Sequence, residues 1–320
     1  RCFMKEIHNT YISGLTMSFK KVIAITGCDS GLGWSIAARS SREGLVTIAG
    51  VFNGTETEAS RALKNLCAYT HKLDVTSPTS VAEFKDYVIN ILNENPNYKL
   101  HAVVNNAGVM TIGQYEWLTP QIIENTINVN LLGSMRIVSA FLPELRKTAL
   151  NGVTKPRIIN VASHCGLQPL PGFGPYSASK AGLLAWTRAL GLEHCDNGLR
   201  AIAFIPGGFI TASNLMSTQL THARMMLESL TDEQKGLYEK KIQTLSSYLC
   251  SASNNTRYDS LKDEKIIETF MKALTDDHPK DVYKVESWRY KFYYALMKLP
   301  LPINVHRSLI KRFLNFPVIV

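Results

Sequence analysis

Tyr176 and Lys180 stand four residues apart at the start of a helical pattern that continues through Leu183, Leu184, Trp186 and Leu190. Four residues make about one helical turn, so phenol and ammonium share a face. A free tyrosine titrates near pH ~10 and is a poor base at neutrality. An ammonium one turn away favours the phenolate and lowers that pKa. Ser163, thirteen residues before Tyr176, offers a hydroxyl that could hold a substrate oxygen while the tyrosine gives or takes its proton. The same spacing also suits an ordinary amphipathic helix with one tyrosine and one exposed lysine. The surrounding elements have to decide between the two.

Those elements alternate. Ile158, Ile159 and Val161 form a short apolar strand that ends at Ser163, and a Pro/Gly-rich connection (Pro169, Pro171, Gly172, Gly174, Pro175) leads to Tyr176. Near the chain start, Val22–Ile25 runs into Thr26-Gly27-Cys28-Asp29-Ser30-Gly31-Leu32-Gly33, and a helical pattern follows from Trp34. Strand, glycine turn and helix in that order predict a phosphate site. The glycines let the backbone approach a pyrophosphate, and the helix N-terminus turns unpaired N–H groups and a positive dipole toward it. Gly27, Asp29, Ser30, Gly31, Leu32 and Gly33 are its candidate residues.

A second strand, Leu45–Phe52, ends at Asn53, where dinucleotide folds place an acid to select a free ribose or an arginine to accept a phosphate. Neither is present. The lack of a cation favours NAD; the lack of an acid leaves NADP open. Tyr69–Leu73 reads as a third strand capped by Asp74 and Val75, and Val81–Leu92 as an amphipathic helix. Ala102–Val104 is a fourth strand that ends in Asn105-Asn106-Ala107-Gly108. Gln121–Leu145 carries a long helical pattern with Asn130 inside it, where the plain expectation is a solvent-facing side chain. Strands at Arg157–Val161 and Arg200–Ile205 complete six, the last running into Pro206-Gly207-Gly208-Phe209-Ile210-Thr211. This rhythm predicts an α/β fold with a doubly wound, Rossmann-like parallel sheet.

Beyond about Ala212 the alternation stops. Residues 215–275 are helical in pattern and charged, with a polar break at Ser251–Asp259. From Lys280 onward eight Lys/Arg stand against two Asp/Glu, interleaved with aromatic residues. This stretch reads as a helical cover over a substrate, or as a face lying on anionic lipid. Residues 21–212 form the expected dinucleotide-binding core and 213–320 an extension of the same domain. Residues 1–20 read as a linker or surface helix, and Arg1 in place of a methionine suggests that an anchor once preceded it.

Composition bounds the function. The 320 residues are 45% hydrophobic, ordinary for a globular core, and the formal charge of +9 is spread out without an aromatic–basic repeat. Nucleic-acid binding is therefore not expected, whereas an anionic cofactor or lipid surface is compatible. Six cysteines show neither CxxC pairs nor a framework spacing, which predicts reduced thiols and no metal site. His164 and Cys165 beside Ser163 invite a nucleophile reading, but no GxSxG elbow is present, and neighbours along a strand point to opposite faces. Sequons occur at Asn53 and Asn254. No apolar run reaches membrane-spanning length.

Taken in order, TGCDSGLG at Thr26–Gly33, NNAG at Asn105–Gly108, Asn130 in NVNLLG, Ser163, YSASK at Tyr176–Lys180 and PGGFIT at Pro206–Thr211 resemble the short-chain dehydrogenase/reductase family. The glycine turn, AGVFN at Ala49–Asn53 and the basic aromatic extension resemble the branch of retinol dehydrogenases, 17-beta-hydroxysteroid dehydrogenase type 2 and 3-hydroxybutyrate dehydrogenase. The resemblance implies Tyr176 as acid/base, Lys180 lowering its pKa and binding the nicotinamide ribose, and Ser163 holding the substrate oxygen. It implies that Asn130 holds a water linked to Lys180 and that Asp74 and Val75 contact adenine. It further implies that Asn106, Ala107 and Gly108 line the cofactor cleft with Pro206 and Gly207, and that Thr211 meets the carboxamide. The expected activity is hydride transfer between a nicotinamide and a lipophilic alcohol or ketone of the steroid or retinoid class, by a homo-oligomer at the endoplasmic reticulum or another intracellular membrane. An NADPH-linked carbonyl reductase and a cofactor-binding scaffold without turnover are the competing expectations.

Overall fold

Along β1 (Lys20–Thr26) successive side chains enter different cores, as the two-residue period of a strand requires. Val22 and Ala24 join one buried cluster, Ile23 and Ile25 the other. Both faces are therefore covered, which is why the strands read as unbroken apolar runs rather than alternating ones. The computed structural model describes residues 19–152, 154–208, 214–253 and 257–314. All but the last two residues of the expected linker at 1–20 lie outside them.

β1 is followed by α1 (Gly31–Arg42), β2 (Val46–Val51), α2 (Glu58–Asn65), β3 (Tyr69–Lys72), α3 (Pro78–Glu94) and β4 (Tyr98–Asn105). Then come α4 (Pro120–Ile127), α5 (Ser134–Leu150), β5 (Arg157–Val161), α6 (Gly174–His194) and β6 (Arg200–Ile205). The strands pair in parallel in the order β3-β2-β1-β4-β5-β6-β7, where β7 is Val282–Lys284. Six strands are legible from the sequence; the seventh is a correction. At three residues it is too short to show a period, and only its pairing with Ala203–Ile205 defines it.

After β6 the chain forms α7 (Gln219–Ser229), α8 (Asp232–Ser253) and α9 (Glu264–Thr275), and after β7 α10 (Trp288–Met297) and α11 (Ile303–Leu314). Among the described residues, helix α9 contributes nothing to the lining of the cleft at the C-terminal ends of the strands. It packs Ile266 and Phe270 into the sheet core beside Trp34 and Ile36 of α1. Its C-terminus is held by the buried Arg157 guanidinium of β5, which donates to the carbonyls of Ala273 (3.1 Å) and Asp276 (3.0 Å). The opposite face of the sheet is covered by Phe84 of α3, Phe141 of α5 and Leu190 of α6. A third cluster roofs the C-terminal ends of the strands and joins Met226, Leu245, Tyr294 and Phe313 to Trp117 and Tyr176.

The expected helix over Gln121–Leu145 is interrupted. Between α4 and α5 lies a π-helical stretch, Asn128–Gly133. Asn130 sits in it at 0% exposure, which overturns the expectation of a solvent-facing asparagine. Wide turns of this kind collect at functional sites. Gly133 permits the one here, since a Cβ at that position would lie 2.7 Å from Val75 Cγ2.

Candidate active site

Strand order reverses between β1 and β4, so the loops leaving their C-terminal ends part and open a crevice. The NNAG loop after β4 fastens the glycine turn after β1. Asn106 Nδ2 donates to the carbonyls of Thr26 (3.0 Å) and Gly27 (2.9 Å), and Thr26 Oγ1 accepts from the amides of Asn106 and Ala107. Gly33 is required by this closeness, because a Cβ there would collide with Gly27 O and Asn106 Nδ2. Helix α1 starts without a side-chain cap at Ser30, which leaves its N-terminus to a ligand.

Asp29 reaches across to β2. Its Oδ2 accepts the amide of Phe52 and its Oδ1 the amide of Asn53, both at 2.8 Å. Asp74, after β3, is tied locally: Oδ1 accepts from the amide and hydroxyl of Thr76.

On the far side of the crevice, β5 delivers Ser163 and α6 delivers Tyr176 and Lys180. Tyr176 and Lys180 are buried on the inward face of α6. Lys180 Nζ donates to Val161 O at 2.8 Å and lies 5.9 Å from the centre of the Tyr176 ring. Burial lowers its pKa to about 8. The expected lowering of the tyrosine pKa is not what this structure holds: burial drives the Tyr176 phenol well above its ordinary value, the Cys165 thiol adds to that, and the Ser163 hydroxyl, as hydrogen-bond partner, opposes it. The sequence shows the ammonium's spacing but not the desolvation that outweighs it. The phenol is accordingly protonated at neutral pH.

Asn130 stands behind these groups. Its Oδ1 accepts from Val109 N (2.8 Å), and its Nδ2 donates to Val109 O (2.9 Å) and Ser179 Oγ (3.1 Å). It thereby ties the loop after β4 to α6. His164 and Cys165 lie in a short 3-10 turn, His164–Gly166, rather than along a strand, so the opposite-faces reasoning fails. A different cause keeps the thiol inert: burial pushes Cys165 up to about 11. His164 Nε2 meets Val285 O at 3.2 Å, and its ring packs on Tyr290.

One cavity of about 850 Å³ runs along the C-terminal ends of β2, β1, β4, β5 and β6. It is lined by Gly27, Asp29, Ser30, Leu32, Gly33 and Asn53 on one side and by Ser163, Tyr176, Lys180, Pro206 and Gly207 on the other. Asp74, Val75, Asn106, Ala107 and Gly108 line it between them. Gly31 and Asn130 do not line it; Gly31 N instead donates to Tyr258 O at 3.0 Å. Thr211 lies outside the described residues. A bare glycine cradle at an open helix N-terminus, continuous with a long cleft, fits a dinucleotide.

One feature escapes the sequence reading. Gly166 packs against the α6 backbone, and a Cβ there would lie 2.7 Å from the Lys180 carbonyl carbon. A bare glycine in a loop gives no hint of such a contact. Of the aromatic stretch expected to cover the cleft, Tyr290 and Tyr294 of α10 line the cavity with Phe313 of α11.

A parallel sheet that reverses its strand order at a glycine turn is the architecture in which dinucleotides bind at the switch point. Within that class the chain belongs to the short-chain dehydrogenase family, whose model, described as short chain dehydrogenase, matches residues 21–221. It is an NAD(P)-dependent oxidoreductase acting on CH–OH groups. A mitochondrial D-beta-hydroxybutyrate dehydrogenase of Rattus norvegicus is 28% identical over 298 residues, covering 88% of this chain and 83% of that one. Retinol dehydrogenase 7 of Rattus norvegicus is 30% identical over 278 residues, covering 87% and 84%. Among solved structures, a short chain dehydrogenase/reductase of Burkholderia phymatum in complex with NAD has a TM-score of 0.65 at 18% identity, covering 84% of this chain and 90% of that one.

Proposed function

We propose that the protein interconverts a lipophilic secondary alcohol and its ketone, or a retinoid-like alcohol and its aldehyde, with Tyr176 exchanging the proton. The observation that carries this reading is the opening of Ser163, Tyr176 and Lys180 onto the same cavity as the glycine turn. A nicotinamide held in the cleft would supply the hydride chemistry that interconverts alcohol and carbonyl. The Ser163 hydroxyl holds the substrate oxygen. The protonated Tyr176 phenol donates to that oxygen during reduction and, as phenolate, accepts the alcohol proton during oxidation. With its pKa near 8, Lys180 is mostly protonated at neutral pH, and its charge favours the phenolate that oxidation requires. Asn130 acts through Val109 and Ser179 as a positioning residue. Asp74, Val75 and the 106–108 loop would hold the nucleotide.

The lipophilic class is supported by the roof, where Leu170, Phe173, Leu215, Tyr290, Tyr294 and Phe313 face the cleft. The two relatives named above act, by their names, on a short hydroxy acid and on retinol, so they leave the substrate to experiment. A cofactor-reduction assay with retinol, a hydroxysteroid and 3-hydroxybutyrate tests it. Turnover of the first or second with NAD is expected; turnover of 3-hydroxybutyrate alone would overturn the lipophilic class.

The roof also favours a lipid-facing role at an intracellular membrane. From Trp288 to Leu314 the chain carries six Lys/Arg and no Asp/Glu. Trp288 and Phe292, one turn apart on α10, are 77% and 53% exposed, and Ile303 at the start of α11 is 71% exposed. Aromatic and aliphatic side chains amid unopposed cations suit an anionic bilayer surface. No helix among the described residues is long and apolar enough to cross a membrane. The hairpin that closes the cleft would then rest on the phase in which a lipophilic substrate is dissolved.

A further inference from the structure

The sequence leaves the end of β2 without the acid that would recognise a free ribose, yet the structure puts a carboxylate there from another stretch. Asp29 leaves the glycine turn, and its two oxygens accept the amides of Phe52 and Asn53, the first two residues beyond β2. The amide of Cys28 is bonded to Gly50 O at 3.0 Å, so turn and strand end are pinned together on both sides of the carboxylate. Asp29, Phe52 and Asn53 all line the cleft. Each carboxylate oxygen carries two acceptor sites, and one amide occupies only one of them. The lysine and arginine that line the same cleft, Lys180 and Arg289, are engaged elsewhere: the first with Val161 O, the second with Phe313 O at 2.6 Å. Among the described residues the cleft itself presents an anion and no free Lys or Arg at the end of β2; the nearby Lys72, in register with Val51, opens instead onto a neighbouring pocket beside Phe52 and Asp74.

We infer that Asp29 is the residue by which this chain selects NAD over NADP, standing in for an acid missing from β2. The inference rests on the dinucleotide reading of the cleft. A ribose with both hydroxyls free can donate to the vacant acceptor sites of the carboxylate. A 2′-phosphate offers no such donors and adds negative charge beside a fixed anion, with Lys72 turned to the neighbouring pocket rather than to the cleft. The position is not interchangeable with a β2 acid, because Asp29 also fixes the strand end it reads from. Substituting it both weakens the local structure and removes the charge.

The test separates those two effects by reading a ratio. Dissociation constants for NAD and NADP are measured by calorimetry on the full chain, wild type and Asp29→Asn, which keeps one acceptor oxygen for the amides. Damage to the loop weakens both ligands alike; loss of the charge narrows the gap between them. The wild type is expected to bind NAD more tightly, and Asp29→Asn to cut that preference by about tenfold or more. A second variant, Asn53→Arg, should raise NADP affinity further in the Asp29→Asn background than in the wild type. An unchanged ratio in Asp29→Asn, or a wild type that prefers NADP, overturns the assignment. Failure of the wild type to bind either dinucleotide would instead refute the cofactor site and take this inference with it.

Discussion

Substituting Gly166 by alanine should damage turnover without touching any reacting group. Gly166 ends the short turn that follows Ser163, and an added Cβ would lie 2.7 Å from the carbonyl carbon of Lys180, 2.8 Å from its oxygen and 3.0 Å from the amide nitrogen of Ala181. Its φ lies outside the left-handed region, so alanine meets no backbone penalty and packing alone decides. All three neighbours are backbone atoms of α6 and cannot swing aside as a side-chain tip would. Restoring ordinary contact moves the serine turn away from α6 by roughly 0.7 Å in a close-packed interior. Overpacking of this kind costs about 1–3 kcal/mol of stability. The displacement falls between Ser163 and the pair Tyr176/Lys180, and a misplacement of about 1 Å can cost on the order of 100-fold in rate. Stopped-time assays on the purified variant should therefore show kcat reduced by about 10- to 100-fold. The affinity for the nucleotide should stay within about twofold, because the glycine turn is far from the strain. Wild-type kcat in a folded Gly166→Ala protein would refute the claim that this contact sets the serine–tyrosine geometry.

Two further outcomes follow from buried and exposed charge. His101 is held neutral, its Nδ1 2.6 Å from Thr154 Oγ1 and its Nε2 3.0 Å from Leu274 O, and burial, reinforced by the nearby Arg157 cation, lowers its pKa to about 3. Between that value and the unfolded value of about 6.5 the unfolded chain binds the extra proton, so stability falls as pH falls. Urea titrations at pH 7 and pH 5 should show a loss from this group of about 2 kcal/mol, absent in His101→Gln; equal losses in both proteins would contradict it. On the surface, Lys291→Gln combined with Lys298→Gln should weaken sedimentation with phosphatidylserine vesicles by about 30-fold, at ~1 kcal/mol per cation. Unaltered vesicle binding would remove α10 from the lipid face.

The sheet was largely legible because its buried strands are continuous apolar runs that end in small or polar residues, as at Val22–Ile25 and Arg157–Val161. The serine, tyrosine and lysine were legible for a related reason: one strand and one helix carry them, so spacing along the chain is spacing in space. Partners far apart in sequence were not. Asp29 meets Phe52 and Asn53 across more than twenty residues, and Gly166 meets Lys180 through a contact that only the fold creates. The π-helical turn around Asn130 was hidden by an apolar rhythm that a helix of either pitch can satisfy. The Tyr176 pKa is not legible in the sequence, because neighbouring charge can be read from spacing, whereas burial cannot.

The most direct test is removal of a single oxygen, Tyr176→Phe. NAD affinity and steady-state turnover of the preferred alcohol should be measured on the same preparation. The phenol is buried and its ring is kept, so the fold and the nucleotide site persist. The proton-transfer account predicts a dissociation constant within about twofold of wild type and kcat lower by at least ~10²- to 10⁴-fold. Turnover near the wild-type rate, with the nucleotide still bound, would contradict it.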